Sequence, residues 1–347
     1  MSSDRSPDPA TVRRVLLVRP RFIGDVCLTL PALEAVRAAC PAARVAYVVE
    51  RPAAPLLTDD PRVDEVIVAE PRGGPGADLA LAARLRRFAP DVALDFFCNP
   101  RTALWTFASG ASARVGYPHK GWRSALYTHH VRPRTLSATG FHLASLAALG
   151  WTARAGAPRL NVSAAARAEA ARELQALGVP AAARCVGFHP GARWMTRRWD
   201  PANFVALAER FLEHDREAFA LVTGGPDDAA RVAGVIERLD HRRARAVVGW
   251  PLARFVALQA RCRAFVCGDT GPLHTSVAAG TPTLGLMSRN RPAMFFPYAE
   301  SDGHRAYYAR VECSPCHRDA CGDLRCLKRL TVEGAWNLLE GMLERKP

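Results

Sequence analysis

The sequence predicts an α/β protein built as two doubly wound, Rossmann-like domains in tandem, and three observations predict it. Short apolar, β-rich runs alternate with helical stretches from Val12 to Leu149. The aperiodic segment Thr152 to Ser163, with Gly156 and Pro158, interrupts this alternation, which restarts at Ala164. A chain of 347 residues is long for one core and comfortable for two. Alternating strands and helices imply a parallel sheet covered on both faces. Ligand is then expected at strand carboxyl ends, in the cleft between the two domains. The divisions expected are 1–160, 161–330 and a final segment 331–347.

In the first half, residues 1–11 are polar and read as a disordered lead. Val12 to Val18 reads as a buried strand, Arg19 to Asp25 as a loop, and Val26 to Ala39 as a helix with Leu30, Leu33 and Val36 inward. Arg44 to Val49, Glu65 to Val68, Asp91 to Phe96 and Arg114 to Tyr117 are further β-rich runs, and Ala77 to Phe88 is the plainest intervening helix. Pro118 to Ser137 is rich in His, Arg and aromatics without a period and reads as a functional loop. His142 to Leu149 is a helix ended by Gly150.

In the second half, Ala164 to Leu177 is a helix ended by Gly178, and Arg184 to Phe188 is a strand. Pro201 to Leu212 is a helix with Asp200 as its N-cap. Ala218 to Val222 (strand), Asp227 to Leu239 (helix), Ala244 to Val248 (strand) and Leu252 to Ala260 (helix) follow. Then comes strand Ala264 to Cys267, the turn Gly268 to Gly271, a helix stopping at Gly280, and strand Pro282 to Met287. Pro272 suits a first helical turn, where its missing N–H would be unpaired anyway. Glu333 to Arg345 closes the chain as an amphipathic helix.

Apolar content of 49% and charged content of 23% are ordinary for a globular chain. The net charge of +14, nearly all from Arg, admits nucleic acid, an anionic membrane surface, phosphorylated substrates or mere compositional bias. No RNP-type motif and no groove-entering basic helix is present, so no nucleic-acid partner is expected. No apolar run approaches the ~18 residues of a membrane span, and the start is not a secretory signal, so a cytoplasmic protein is expected.

Four loops fall at the carboxyl ends of expected strands. Gly24-Asp25 lies in the first, where Asp25 is either an N-cap or a cleft-facing general base. A carboxylate near a helix N-terminus stays ionised at neutral pH, which suits both roles. The second runs from His189 to Trp199, and Gly191 permits close backbone approach. Its Arg193, Arg197 and Arg198 could clamp phosphate oxygens or simply be solvated. The third, Thr223-Gly224-Gly225-Pro226-Asp227-Asp228, offers an acidic residue for a ribose. The fourth carries Asp269, Thr270, Gly271 and His274 at a helix N-terminus, a natural anion site. His274 either faces a ligand or packs. No two Asp lie two apart, so there is no DxD motif, and Arg and helix N-termini would have to meet diphosphate charge. The first loop also lacks GxGxxG, against a dinucleotide-dependent dehydrogenase.

Cys313, Cys316, His317, Cys321 and Cys326 cluster within fourteen residues. Three readings are open: a structural zinc or iron site, reduced structural thiols, or labile disulfides.

These pieces together resemble the ADP-heptose:lipopolysaccharide heptosyltransferases, glycosyltransferase family 9. VRRVLLVRPRFIGDVCLTLPALEAVRAACPAARVAYVV is similar to the family's opening strand, Gly-Asp-Val loop and helix. HPGARWMTRRWDPANF resembles its HPGA loop, GDTGPLHTSVAAGTPTLGL its D-[ST]-G-x-x-H motif, and CSPCHRDACGDLRCL its Cys-rich segment. ARVGY, followed by His142 and LASLAALG, resembles its middle segment. The resemblance implies a GT-B fold, with an N-terminal acceptor-binding and a C-terminal nucleotide-sugar-binding domain. It also implies an inverting transfer of heptose from ADP-heptose that requires no metal. Asp25 falls on the family's proposed base, Asp269 on the residue that holds the sugar, and Thr270 and Gly271 on diphosphate-binding amides. Arg197 stands where the family has a Lys, and Asp200 where Pro is usual. Gly24, His189, Gly191, Gly224, Asp227, Asp228 and His274 complete the expected donor set. Arg19, Arg114, Lys120 and Arg123 are expected to meet a lipid-linked anionic saccharide acceptor, with peripheral contact at the inner face of the cytoplasmic membrane. The alternative is a family-9 transferase using another nucleotide sugar or a non-lipopolysaccharide acceptor.

Overall fold

The computed structural model describes residues 6–118, 121–153, 156–239, 242–316 and 318–344. β1 (Arg14–Val18) presents four consecutive apolar residues, Val15 to Val18, all fully buried. A strand apolar on both faces must be covered on both, which parallel sheets flanked by helices achieve. With β2 (Arg44–Glu50), β3 (Glu65–Ala69), β4 (Val92–Asp95), β5 (Ala113–Gly116) and β6 (His129–His130) it forms a six-stranded sheet in the order β3-β2-β1-β4-β5-β6. All pairings are parallel, and Val15 stands opposite both Val45 and Val92. Helices α1 (Ile23–Ala39), α2 (Gly74–Phe88), α3 (Pro100–Ala108) and α4 (Ala138–Ala147) belong to this unit, Met1–Asn161.

The second unit, Val162–Pro347, repeats the plan. β7 (Cys185–His189), β8 (Phe219–Gly224), β9 (Ala244–Val248), β10 (Ala264–Gly268), β11 (Thr283–Met287) and β12 (Arg305–Tyr308) pair in parallel in the order β12-β11-β10-β7-β8-β9. Its helices include α5 (Ala164–Ala176), α6 (Pro201–His214), α7 (Ala229–Ile236), α8 (Leu252–Arg261) and α9 (Gly271–Ala278). Counted within each unit, both sheets have the order 3-2-1-4-5-6. The reversal falls between β1 and β4 in one and between β7 and β10 in the other. In open α/β sheets the crevice for ligands lies at that reversal, beyond the strand carboxyl ends.

Caps and cores account for the remaining order. Asp200 Oδ1 accepts the Ala202 N–H at 2.9 Å and starts α6. A final helix, Val332–Leu343, buries Trp336, Leu339 and Met342 in the second unit's core beside Trp199, Phe204 and Phe211. The Trp199 indole donates to the Leu330 carbonyl at 2.8 Å, which ties that helix's approach to the core.

The structure departs from the sequence reading at particular elements. α1 begins at Ile23, three residues before the expected Val26, so Gly24 and Asp25 lie in its first turn. The cause is local: Asp25 Oδ2 accepts the Phe22 N–H at 3.2 Å, and an acid in the first turn suits the helix dipole. The expected helix from Asp227 is a 3-10 turn, Pro226–Asp228, followed by α7. β6 and β12 have no expected counterpart, because β6 is only two residues, His129–His130, and the four residues of β12 are all only partly buried, so neither forms a buried apolar run. α3 lacks a clear apolar boundary in the sequence, yet Asn99 caps it, accepting the Thr102 N–H at 2.7 Å ahead of Pro100.

Candidate active site

At the β1/β4 reversal, the chain leaving β1 passes through Arg19 and enters α1. Arg19 Nη2 lies 2.6 Å from Asp25 Oδ1, and Arg19 Nη1 donates to the Phe96 carbonyl at 2.7 Å. The guanidinium also stands 4.9 Å from the Phe97 ring centroid. The Asp25 side chain is 28% exposed and that of Arg19 only 11%, so the carboxylate keeps a face toward solvent while its partner is enclosed.

The Phe96–Cys98 turn that holds Arg19 is itself fixed by Asp95. Asp95 Oδ1 accepts the N–H groups of Phe97 (2.9 Å) and Cys98 (2.8 Å), and Oδ2 accepts the Tyr127 hydroxyl at 2.8 Å. Burial raises the Asp95 carboxyl above its ordinary range, and these hydrogen bonds oppose the rise without cancelling it. Tyr127 reaches Asp95 across Gly116, where a Cβ would collide with the Tyr127 ring. A chain of contacts thus runs from Tyr127 through Asp95 and the Phe96 carbonyl to Arg19 and Asp25.

The other basic residues of this unit are placed differently from one another. Arg114 donates from Nε to Leu126 O and from Nη1 to Ala111 O, both at 2.7 Å, and covers the Phe107 ring at 5.4 Å. Arg123 Nη1 donates to Cys98 O at 3.1 Å, which brings it to the Asp95 turn. Lys120 lies outside the described residues.

At the β7/β10 reversal of the second unit, Arg197 and Asp269 come together. Arg197 Nη1 donates to the Asp269 carbonyl at 2.7 Å, and Arg197 Nε lies 3.6 Å from Asp269 Oδ2. Asp269 is 1% exposed, and its Oδ2 accepts from Asn290 Nδ2 at 2.5 Å. The loop carrying Arg197 crosses directly over Gly268, where a Cβ would collide with the Arg197 carbonyl. That crossing is why glycine precedes Asp269. Thr270 is the N-cap residue of α9, and its hydroxyl donates back to Gly268 O at 3.3 Å; Gly271 is the first residue of the helix. His274 is buried, with Nδ1 2.6 Å from the Tyr298 hydroxyl, so its ring is packed against Tyr298.

His189 and Asp228 meet at the ends of β7 and β8. The Asp228 carboxylate sits over Gly191, where a Cβ would strike it, and accepts from Arg231 Nη1 at 3.0 Å and from Gly225 N–H at 3.3 Å. Gly224 also clears space for Asp228 and Val232, whereas Asp227 is exposed. His189 Nδ1 lies 2.9 Å from Thr223 Oγ1, and burial pushes its imidazole down to about 4, with Asp228 opposing. His304 is also pushed down to about 4 by burial.

A pH effect on stability follows. In the unfolded chain each imidazole titrates near 6.5, so between pH 6.5 and 4 the unfolded state binds protons that the folded state does not. Stability is therefore full above about 6.5 and falls as pH drops. Each group accounts for about 2 kcal/mol between pH 7 and 5. Burial also holds the His142 imidazole well below its ordinary value, so three groups contribute. Denaturant unfolding at the two pH values should show the summed loss, and His189→Gln should remove about a third of it.

The Cys-rich segment braces the Arg197 loop from behind. Thr196 Oγ1 and Arg289 Nη1 both donate to Arg318 O at 2.8 Å, and Cys316 N–H donates to Arg289 O at 3.2 Å. All ten cysteines are free thiols. Backbone N–H groups of Leu324 and Asp323 lower the Cys321 thiol, while burial raises that of Cys326. Among the described residues no three His, Cys, Asp or Glu are grouped to hold a metal ion, and Cys313, Cys316, Cys321 and Cys326 stand as free thiols. His317 lies outside the described residues. Also among the described residues, no helix is long and apolar enough to cross a membrane.

Asn290, Tyr298, Asp95 and Tyr127 are not among the site residues expected from the sequence. Asn290, Tyr298 and Tyr127 bond to residues 21, 24 and 32 positions away, and Asp95, at the end of an expected strand, fixes the turn that follows it.

Comparisons with known proteins agree with this architecture. Residues 79–324 match the model of glycosyltransferase family 9 (heptosyltransferase). The chain is 28% identical over 370 residues to lipopolysaccharide heptosyltransferase 1 of Pseudomonas aeruginosa, covering 95% of this chain and 98% of that protein. A glycosyl transferase family 9 structure from Veillonella parvula superposes with a TM-score of 0.84 at 22% identity, covering 98% of this chain and 99% of that one. The E. coli ADP-heptose lps heptosyltransferase II superposes at 0.79 and 20% identity, covering 95% and 98%. The chain belongs to glycosyltransferase family 9, the heptosyltransferases, and is a glycosyltransferase with the two-domain α/β GT-B fold.

Proposed function

We propose that this enzyme transfers a heptose, with inversion, from ADP-heptose to a lipopolysaccharide inner-core acceptor, using Asp25 as general base. The observation that carries the reading is the pairing of a carboxylate with an arginine at each sheet reversal, Asp25 with Arg19 and Asp269 with Arg197. The names of two relatives, lipopolysaccharide heptosyltransferase 1 and ADP-heptose lps heptosyltransferase II, support this donor and acceptor.

In this reading the first domain binds acceptor and the second binds donor. The acceptor hydroxyl gives its proton to Asp25 as its oxygen attacks the anomeric carbon opposite the ADP. The bond from that carbon to the β-phosphate oxygen breaks, and ADP leaves. Arg197 and the amides at Thr270 and Gly271 meet the charge that develops on the diphosphate, so no metal cofactor is assigned to the reaction. Asp269 holds the sugar beside His274. Gly24, Gly191 and Gly224 allow close backbone approach, and His189 with Asp227 or Asp228 meets the adenosine. Arg123 and Lys120 engage acidic groups of the acceptor, and Arg19 and Arg114 act from the positions their internal contacts fix. The enzyme works in the cytoplasm, in peripheral contact with the inner membrane.

Isothermal titration and mass spectrometry of products test this. ADP should bind at least about tenfold more tightly than UDP or GDP, and core acceptors should gain one heptosyl unit. Preference for a UDP- or GDP-sugar would overturn the donor. Transfer solely to a non-lipopolysaccharide acceptor would overturn the acceptor in favour of a family-9 enzyme of different specificity.

A further inference from the structure

We propose that the outer face of α3, with the adjoining turn Trp122–Leu126, docks on an anionic lipid bilayer. The inference rests on the lipid-linked acceptor just proposed and assigns the surface that meets the membrane.

The first observation is chemical. From Phe96 to Ala168 the chain contains no Asp or Glu and nine Lys or Arg. A solvated surface normally mixes both signs, so 73 residues without a carboxylate leave a local excess of positive charge unopposed within the segment.

The second is where apolar groups protrude. Among the described residues, six of the seven large hydrophobic residues that are strongly exposed lie in the first unit. Leu104 and Phe107 are each 50% exposed at i and i+3 on α3, while Thr102, Ala103, Trp105 and Thr106 bury the opposite face. The face that should be polar on a surface helix is therefore apolar. Trp122, 56% exposed, stands on the turn that packs against α3.

The third is that cations border this patch. Arg114 lies under the Phe107 ring, and the Arg86 guanidinium lies against Gly110 just beyond the end of α3. Arg123 follows Trp122, and Arg132 and Arg134 are exposed on the same basic segment. The one carboxylate that pairs with α3 among the described residues, Asp78 of α2, is engaged by Arg101 at 2.7 Å and by the Trp105 indole. The aromatic and aliphatic groups among the remaining Arg residues match the chemistry of a headgroup layer. Indole and phenyl rings settle at the boundary, and guanidinium groups meet lipid phosphates.

Co-sedimentation of the full chain with vesicles tests the proposal. Phosphatidylethanolamine–phosphatidylglycerol vesicles should pellet the protein, neutral phosphatidylcholine vesicles should not, and about 0.5 M salt should release it. The triple variant Leu104→Ser, Phe107→Ser, Trp122→Ser should partition at least about tenfold more weakly. Trp122→Ser alone, a smaller perturbation, should lose part of that binding, and thermal unfolding reports whether each variant is folded. Brominated lipids should quench more tryptophan fluorescence in the parent chain than in Trp122→Ser. Wild-type protein left in the supernatant with anionic vesicles, or a folded triple variant that pellets like the parent, would overturn it. So would binding to polyglutamate without binding to vesicles, which would point to an acidic protein partner. If anionic vesicles bind but no heptose is transferred, the functional reading fails and the surface stands.

Discussion

Asp25→Asn is expected to lower kcat by about 10²–10⁴-fold while ADP affinity stays within about a factor of two. The substitution is nearly isosteric. An amide oxygen can still accept the Phe22 N–H that now reaches Asp25 Oδ2 at 3.2 Å, so the first turn of α1 should persist. What is lost is the capacity to take a proton from the attacking hydroxyl, and that loss falls on turnover. Arg197, Thr270, Gly271, His189 and Asp228, proposed above to meet the ADP, belong to the other unit. Gly24 would act through its backbone, which the substitution leaves in place, so nucleotide titration should not register the change. Near-normal turnover would remove Asp25 from the role. Arg19 supplies the complementary measurement. Its side chain is 11% exposed and bonded to both Asp25 and Phe96 O, which makes it a positioning residue for the carboxylate. Arg19→Gln should then reduce kcat by about tenfold with little change in KM for acceptor. A rise confined to KM would instead place Arg19 on the acceptor.

The sequence made the sheets legible because parallel strands are buried on both faces and announce themselves as apolar runs, as Val15 to Val18 and Ala264 to Cys267 do. Its glycines also coincide with tight internal crossings, since Gly191, Gly224 and Gly268 occur where Asp228, Val232 or the Arg197 carbonyl approaches too closely for a side chain. What it hid are partnerships between distant positions. Nothing local signals that Asn290 donates to Asp269 across 21 residues, or that Tyr127 reaches Asp95 across 32. The basic residues were the least legible class. Arg19, Arg114 and Arg123 look alike in sequence, yet one pairs with a carboxylate, one pins two carbonyls under an aromatic ring and one braces a turn. An Arg-rich composition conceals which guanidinium groups are structural, because both uses draw on the same planar fork of donors.

Asp269→Asn should separate the two halves of the donor site by moving them in opposite directions. In the free enzyme Asp269 is buried, accepts from Asn290 and faces the Arg197 guanidinium at 3.6 Å, and that Arg197 Nε has no hydrogen-bond partner among the described residues. The amide can keep the bond to Asn290 but removes the charge opposite Arg197. Removing one member of a buried pair costs about 3–5 kcal/mol, and the 22% exposure of Arg197 brings this down to about 1–3. The unfolding midpoint should therefore fall. An Arg197 no longer facing a carboxylate is also a stronger anion ligand, so ADP should bind as tightly as before or more so, and ADP should restore most of the lost stability. Turnover should nonetheless drop by at least about 10²-fold, because the group assigned to hold the sugar is gone. Arg197→Met should do the reverse to the nucleotide, weakening ADP by at least about tenfold. In the double variant the two ADP effects should not add, since Asp269→Asn acts on ADP only through Arg197. If Asp269→Asn and Arg197→Met weaken ADP equally and additively, then Asp269 contacts the nucleotide independently of Arg197, and its assignment to the sugar fails.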